Sequence, residues 1–326
     1  MTETLSQFSV LSLYSAMAIY AIAFIVFTFD LARGAGREAN AAAASDSIVR
    51  STGEGSVATL TRVRADAAVR SAGIGRLASI AMALTWLAFV FHLVATVLRG
   101  VAASRVPWAN MYEFGMTGTL VITLVFLIVN LRWDLKFVGA FSTGLVLLLL
   151  GLVSTGFYVE VVPLPPALQS YWLVIHVFVA TLATGFFSVG FALSLTQILQ
   201  ARREARTVDA KPTRLGWMSR LPDSAQLENY AYRLIIIGFI FWTFTLIAGA
   251  VWAEKAWGRY WGWDTKEVWT FIIWTIYAGY IHARSTRGWR GTRSAVLAMV
   301  GFASVIFNYT VVNIFFKGLH SYSGLS

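Results

Sequence analysis

Residues 257–267 read Trp-Gly-Arg-Tyr-Trp-Gly-Trp-Asp-Thr-Lys-Glu. Trp257, Trp261 and Trp263 crowd with Gly258 and Gly262 against Asp264, between two long apolar stretches. Tryptophan offers a broad apolar ring, and glycine lets a backbone approach a flat surface closely. A loop of this kind suits a large planar ligand. An aromatic belt at a membrane interface also gathers Trp and Tyr, but it leaves the interleaved glycines and the acid unexplained.

The chain has four histidines, His92, His176, His282 and His320. His176 and His320 flank the Trp-rich loop in sequence. Neutral imidazole ligates heme iron, and two rings can meet the iron from opposite faces of the plane. A planar platform between two histidines therefore suits a heme. Two hydrogen-bonded interfacial histidines are the plainer alternative, and residue type alone leaves both open. His282 falls inside an apolar run, where an ionisable group is a functional candidate by default.

The elements that must position these residues follow from composition. Hydrophobic residues make up 57% of the chain and charged residues 13%, against about 25% charged in a soluble domain. Several apolar runs exceed the roughly 20 residues that cross a bilayer. The expected fold is all-α, a polytopic membrane bundle of about eight helices near 8–31, 77–98, 111–130, 137–154, 172–199, 231–252, 268–283 and 294–316. Eight crossings put both termini on one side. Twenty Lys and Arg then fall in the loops of one side and six on the other, which are Arg99, Arg105, Lys255, Arg259, Lys266 and Lys317. The positive-inside rule places the termini and the Trp-rich loop outside. The net charge of +10 is thus topological, and no nucleic-acid partner is needed. The chain lacks cysteine, which excludes disulfides, thiolate metal sites and thiol redox chemistry.

On this layout His176 lies one turn inside the external end of the fifth span, and His320 just past the external end of the eighth. His282 lies deep in the seventh and His92 in the outer half of the second. These two are at different depths and are not expected to share one iron, so His282 needs a ligand partner from another chain and His92 is expected to pack within the bundle. Residues 34–76 and 201–224 read as solvated linkers or surface helices, with 39–44 a candidate helical piece. Pro163, Pro165 and Pro166 prevent a regular helix throughout 157–170.

The run from Trp257 to Trp269 closely resembles the tryptophan-rich "WWD" signature of heme-handling proteins. Tyr280-Ile281-His282-Ala283-Arg284, Gly318-Leu319-His320-Ser321-Tyr322, Tyr171 through Val177, and Pro107 through Glu113 with Asn110 and Tyr112 narrow the resemblance. Together they resemble the CcsA/ResC family of system II cytochrome c biogenesis, called CcsB in some actinobacterial naming. The resemblance covers residues 77–326 as a heme-handling transmembrane domain. Residues 1–76, a helix and a basic cytoplasmic loop, carry no motif. Thr265 departs from the proline usual in the family.

The resemblance implies specific roles. His176 and His320 would be axial ligands of an external heme b lying on Trp257, Trp261, Trp263, Asp264 and Trp269. His282 would ligate a heme within the membrane, with its partner on a ResB-type subunit. The chain would sit in the cytoplasmic membrane, contacting lipid. It would export heme and present it to the Cys-x-x-Cys-His segment of apocytochrome c, as a subunit of a cytochrome c heme lyase complex. Arg105, Lys255, Arg259 and Lys266 are external cations suited to heme propionates or to interfacial snorkelling. Asp264 is expected to fix its loop by hydrogen bonds. Two other readings compete. One is a system I-type module that hands heme to a chaperone. The other is a membrane electron-transfer cytochrome or transporter.

Overall fold

The computed structural model describes residues 2–51, 57–164, 166–208, 218, 221–286, 288–316 and 318–320, with side chains over the same ranges except 34–75, 167 and 207–208. Lys317, Ser321, Tyr322 and most of the 209–220 linker lie outside the described residues. Long helices dominate: α1 (Thr2–Ser51), α2 (Val57–Ala103), α3 (Met111–Arg132), α4 (Gly139–Gly156), α5 (Tyr171–Val208), α6 (Ser224–Trp257), α7 (Thr265–Ser285) and α8 (Thr292–Phe307). A π-helical turn, Asn308–Val312, and the short α9 (Asn313–Phe315) continue from α8. The described residues contain no strand.

The membrane dictates this choice. A backbone in hydrocarbon must satisfy its own polar groups, and a helix does so within one segment. Among the described residues, seven helices are long and apolar enough to cross a bilayer. α7 falls short because Lys266, Glu267, His282 and Arg284 dilute its apolar run. Its 21 residues nevertheless reach about 31 Å at roughly 1.5 Å per residue, the thickness of a hydrocarbon core. Its last turn lies beside the starts of α6 and α8. Trp242 Nε1 donates to the Thr270 carbonyl at 3.0 Å and Trp274 Nε1 to Thr243 Oγ1 at 2.9 Å, which joins α6 to α7 along their length. At the far end, Glu228 of α6 forms an ion pair with Arg284 of α7 at 3.1 Å and accepts from the Ser294 hydroxyl of α8 at 3.1 Å.

The chain therefore alternates direction through eight passes. Ser9 meets Ala95, His92 meets Met116, and Tyr309 meets Met111. The starts of α1, α3, α5 and α7 thus share one end of the bundle with the ends of α2, α4, α6 and α8. The linker readings of 34–51 and 57–76 give way to helical backbone, which continues α1 and precedes the apolar part of α2. Residues 157–164 and 169–170 are irregular and a short 3₁₀ turn covers Pro166–Leu168, as expected for a proline-rich stretch.

Small residues set the packing distance, as expected where helix association cannot rely on the hydrophobic effect. Phe187 of α5 and Tyr277 of α7 stack with ring centroids 3.8 Å apart and planes 7° from parallel. A Cβ on Gly238 would lie 2.8 Å from the Phe187 ring, and one on Gly301 would lie 2.7 Å from the Tyr277 ring. The stacked pair is held between two glycines and neither ring has room to yield.

Adding one methyl at Gly301 should therefore overpack this seam, with a cost of about 1–3 kcal/mol. Gly279, in α7, has nothing near its missing Cβ, so Gly279→Ala should be neutral or gain up to about 1 kcal/mol through helix propensity. Thermal unfolding of both variants in the same detergent checks the contrast. Equal midpoints would contradict the account of the seam.

Candidate functional site

An apolar cavity of about 230 Å³ opens at the end of the bundle where α3, α5 and α7 begin. Its wall includes both His176 and His320, together with Trp108, Trp252, Trp261 and Lys266. His176 comes from the second turn of α5. His320 comes from the chain beyond α9, which returns over the start of α7.

Each imidazole is oriented by an oxygen. His176 Nδ1 lies 3.0 Å from the Thr245 carbonyl of α6. A carbonyl only accepts, so Nδ1 carries the proton and Nε2 keeps its lone pair. His320 Nδ1 lies 3.0 Å from Asp264 Oδ1; a charged carboxylate only accepts, so this Nδ1 also carries a proton. An oxygen accepting from one ring nitrogen is what orients a metal-binding histidine and raises the basicity of its other nitrogen. Both rings also lean on one side chain. His176 stacks on Trp252 with centroids 5.8 Å apart at 19°, and His320 meets the Trp252 edge at 5.4 Å and 66°. Trp257 closes on His320 from another side at 4.7 Å. A Cβ at Gly249 would stand 2.7 Å from His176 Cε1, so glycine alone leaves the ring its place.

The loop between α6 and α7 is built around two carboxylates. Gly258 ends α6 with φ +70°, a left-handed cap. Asp264 then caps α7, accepting from the Lys266 N–H at 2.9 Å, while Glu267 Oε2 accepts from the N–H groups of Gly262 at 2.8 Å and Asp264 at 3.1 Å. This reciprocal capping box fixes the loop. Asp264 Oδ2 also accepts from the Leu319 N–H at 2.8 Å. A Cβ on Gly318 would collide with Asp264 Oδ2, so the approach of the C-terminal segment requires glycine there. The His320 bond, followed by the two backbone donors, lowers the Asp264 carboxyl to about 2. It is therefore charged at neutral pH and can hold the His320 N–H.

The remaining candidates spread around this centre. Trp261 lines the cavity, and Trp263 packs edge-on against it with centroids 5.8 Å apart. Trp263 is 77% exposed and holds a φ of +61°, unusual for a bulky residue. Trp269 faces Phe307 of α8, 4.4 Å between centroids. The four cations all have partners within the chain: Arg105 pairs with Glu113, Arg259 with Glu267 and Lys255 with Glu254. Lys266 Nζ donates to the Asn308 carbonyl and Asn313 Oδ1, both at 2.7 Å.

His282 is exposed in the last turn of α7, at the end opposite the cavity. His92 is fully buried, with Nε2 2.9 Å from the Met116 carbonyl and Nδ1 3.5 Å from Tyr20 Oη. Both of its nitrogens face protein oxygens inside the bundle. His92 and His282 do lie at different depths.

Thr245, Gly249 and Trp252 went unremarked in the sequence. Their spacing of i, i+4 and i+7 places them on one face of α6, and that stripe was the available signal. What it faces, His176 on α5, is set by tertiary packing.

A family model described as "Cytochrome C assembly protein" matches residues 108–320. The chain belongs to the cytochrome c assembly protein family. The match opens at Trp108 and closes at His320, both on the cavity wall. The "Cytochrome c biogenesis protein CcsA" of Parasynechococcus marenigrum (strain WH8102) is 36% identical over 245 residues, covering 69% of this chain and 80% of that protein. The protein of the same name from Porphyra purpurea is 31% identical over 290 residues, covering 79% and 90%. Membership gives the chain a role in cytochrome c biogenesis at the membrane and implies the handling of heme. Among solved structures, "Cytochrome c Heme Lyase CcmF" superposes with a TM-score of 0.62 at 17% identity. That likeness covers 94% of this chain but 46% of the other, and it shows a shared fold.

The site predicts that Asp264 anchors the C-terminal segment. A nitroxide on Leu319→Cys, the sole cysteine of the variant, should give a restricted line shape. Asp264→Ala removes a charged acceptor of two contacts to this segment, each worth about 1.5–3 kcal/mol, and should sharpen the spectrum markedly. Asp264→Asn should fall between. An unchanged spectrum in Asp264→Ala would contradict the anchoring role.

Proposed function

We propose that this chain binds heme b in the cavity with His176 and His320 as axial ligands, and presents it on the outer side of the cytoplasmic membrane to an apocytochrome c. The observation that carries the reading is the matched pair of Nδ1 bonds, to the Thr245 carbonyl and to Asp264, which commits each Nδ1 to the protein and leaves Nε2 as the ligating nitrogen of two residues on one apolar cavity. The donor set fits a heme: two imidazoles for the iron, and aromatic walls from Trp252 and Trp261 for the ring.

Attachment adds each thiol of a Cys-x-x-Cys-His segment across a heme vinyl group. The new S–C bond forms at one vinyl carbon and the proton goes to the other. The thiols belong to the apocytochrome, since this chain has none. The contribution of His176, His320 and the WWD loop is to hold the ring in one orientation, exclude water and restrict side reactions at the iron.

A ResB-type subunit completes the complex in this reading. The exposed His282 would contribute one ligand to a heme in the membrane, and the partner would contribute the other. Heme passes from that site to the cavity. Residues 77–326 form the heme-handling unit, and α1 with its basic extension packs beside it. The distribution of Lys and Arg supports placing the cavity end outside. A reporter fused at residue 289 should report cytoplasm, and an external signal there would reverse the orientation.

His176→Gly and His320→Gly should each abolish cytochrome c maturation and convert the hexacoordinate heme spectrum of the purified complex to one with an open position. Added imidazole should enter the space left and restore part of both. Normal maturation in both single variants would refute the ligand assignment.

A further inference from the structure

Two residues of the cavity wall, Trp108 and Asn110, each keep a buried hydrogen-bond donor that no protein atom accepts. Trp108 Nε1 and Asn110 Nδ2 are both buried and without a hydrogen-bond partner. Both residues line the same cavity as His176 and His320. Asn110 is 6% exposed. Its amide orientation is fixed by chemistry, since the atom 2.9 Å from the Glu113 N–H must be the oxygen. The NH₂ group is then the one left over. A buried donor without an acceptor costs about 1–3 kcal/mol, so two together call for an acceptor supplied by the ligand.

The surroundings fix the charge of that acceptor. Asn110 is the N-cap of α3, a 22-residue helix whose positive end lies at this point. Behind the 108–110 turn, the buried Glu113 accepts from Arg99 at 3.0 Å, from Arg105 at 2.5 Å and from the Ala109 N–H at 3.0 Å. One carboxylate against two guanidinium groups, Arg99 buried and Arg105 partly exposed, leaves an excess positive charge beside this turn. Helix end, surplus charge and free donors all favour an anion. Of the other cations at this end, Lys255 and Arg259 are paired with carboxylates, and Lys266 gives two of its three N–H groups to Asn308 and Asn313.

We propose that Trp108 Nε1 and Asn110 Nδ2 form the subsite that receives a carboxylate of the cavity ligand, namely a heme propionate. This rests on the reading of the cavity as a heme site. Its consequence is orientation: with the iron held by the histidines, a propionate fixed at the start of α3 sets which edge of the ring carries the vinyl groups outward.

Two variants isolate the donors. Trp108→Phe keeps the ring and removes the N–H. Asn110→Asp keeps the capping oxygen and replaces the donors with an acceptor of like charge to the ligand. Heme and its dimethyl ester, in which both carboxylates are blocked, are titrated into purified full-length protein and followed by absorption. Wild type should prefer heme over the ester. Each variant should lose about tenfold in heme affinity, the worth of one hydrogen bond to a charged group, and bind the ester as wild type does. Equal losses for heme and ester would mark a packing role and overturn the subsite, as would wild-type heme affinity in both variants. If wild type binds heme through the histidine pair but ignores esterification, the subsite alone fails. If wild type shows no histidine-pair spectrum, the heme reading fails and the subsite with it.

Discussion

The Asp264 carboxylate stands where three parts of the chain meet. One oxygen caps α7 and holds His320, and the other holds the backbone of the segment that carries His320. Glu267, three residues on, gathers the loop that precedes it. The relative positions of the aromatic loop, the start of α7 and the C-terminal histidine therefore depend on one charged group at the membrane surface. Hydrogen bonds to a charged acceptor are stronger than neutral ones, and here they are partly buried. Thr245 does the same work for His176 with a backbone oxygen, and Gly249 gives the ring its space.

The bundle supplies the rigidity that such an arrangement requires. Eight helical passes satisfy their own backbones, so polar side chains inside the bundle are available for specific tasks. Glu228 joins three helices at one end, and Glu113 with Arg99 and Arg105 ties the 157–162 segment to α2 and α3 at the other. The π turn at Asn308–Val312 is a feature often found at functional sites. It exposes the Asn308 carbonyl to Lys266 Nζ, and so couples the end of α8 to the start of α7. The cavity is enclosed by elements pinned at both ends.

Much of this was legible in the residues. Long apolar runs gave the spans, and the interruptions at Gly258 and Asp264 marked the loop, because left-handed caps and capping boxes are local in sequence. α7 was legible by length, while its charged residues keep it outside a purely apolar criterion. The helical continuation of α1 and α2 through 34–51 and 57–76 was not legible as such, since Ala, Ser and Gly there fit a linker equally well. The histidines stood out because they are few. The Thr245, Gly249 and Trp252 stripe did not, because its meaning depends on which helix packs against α6. The unmatched donors of Trp108 and Asn110 are invisible in sequence for the same reason: satisfaction of a polar atom is a property of the folded state.

The central claim is that one ligand is held between the Nε2 atoms of His176 and His320. A density map of the heme-loaded full-length protein in a lipid nanodisc tests it most directly. The account predicts strong density for an iron bridging these two nitrogens, with the porphyrin plane against Trp252 and Trp261. Iron density elsewhere in the chain, with the cavity between His176 and His320 filled by lipid or solvent, would contradict it.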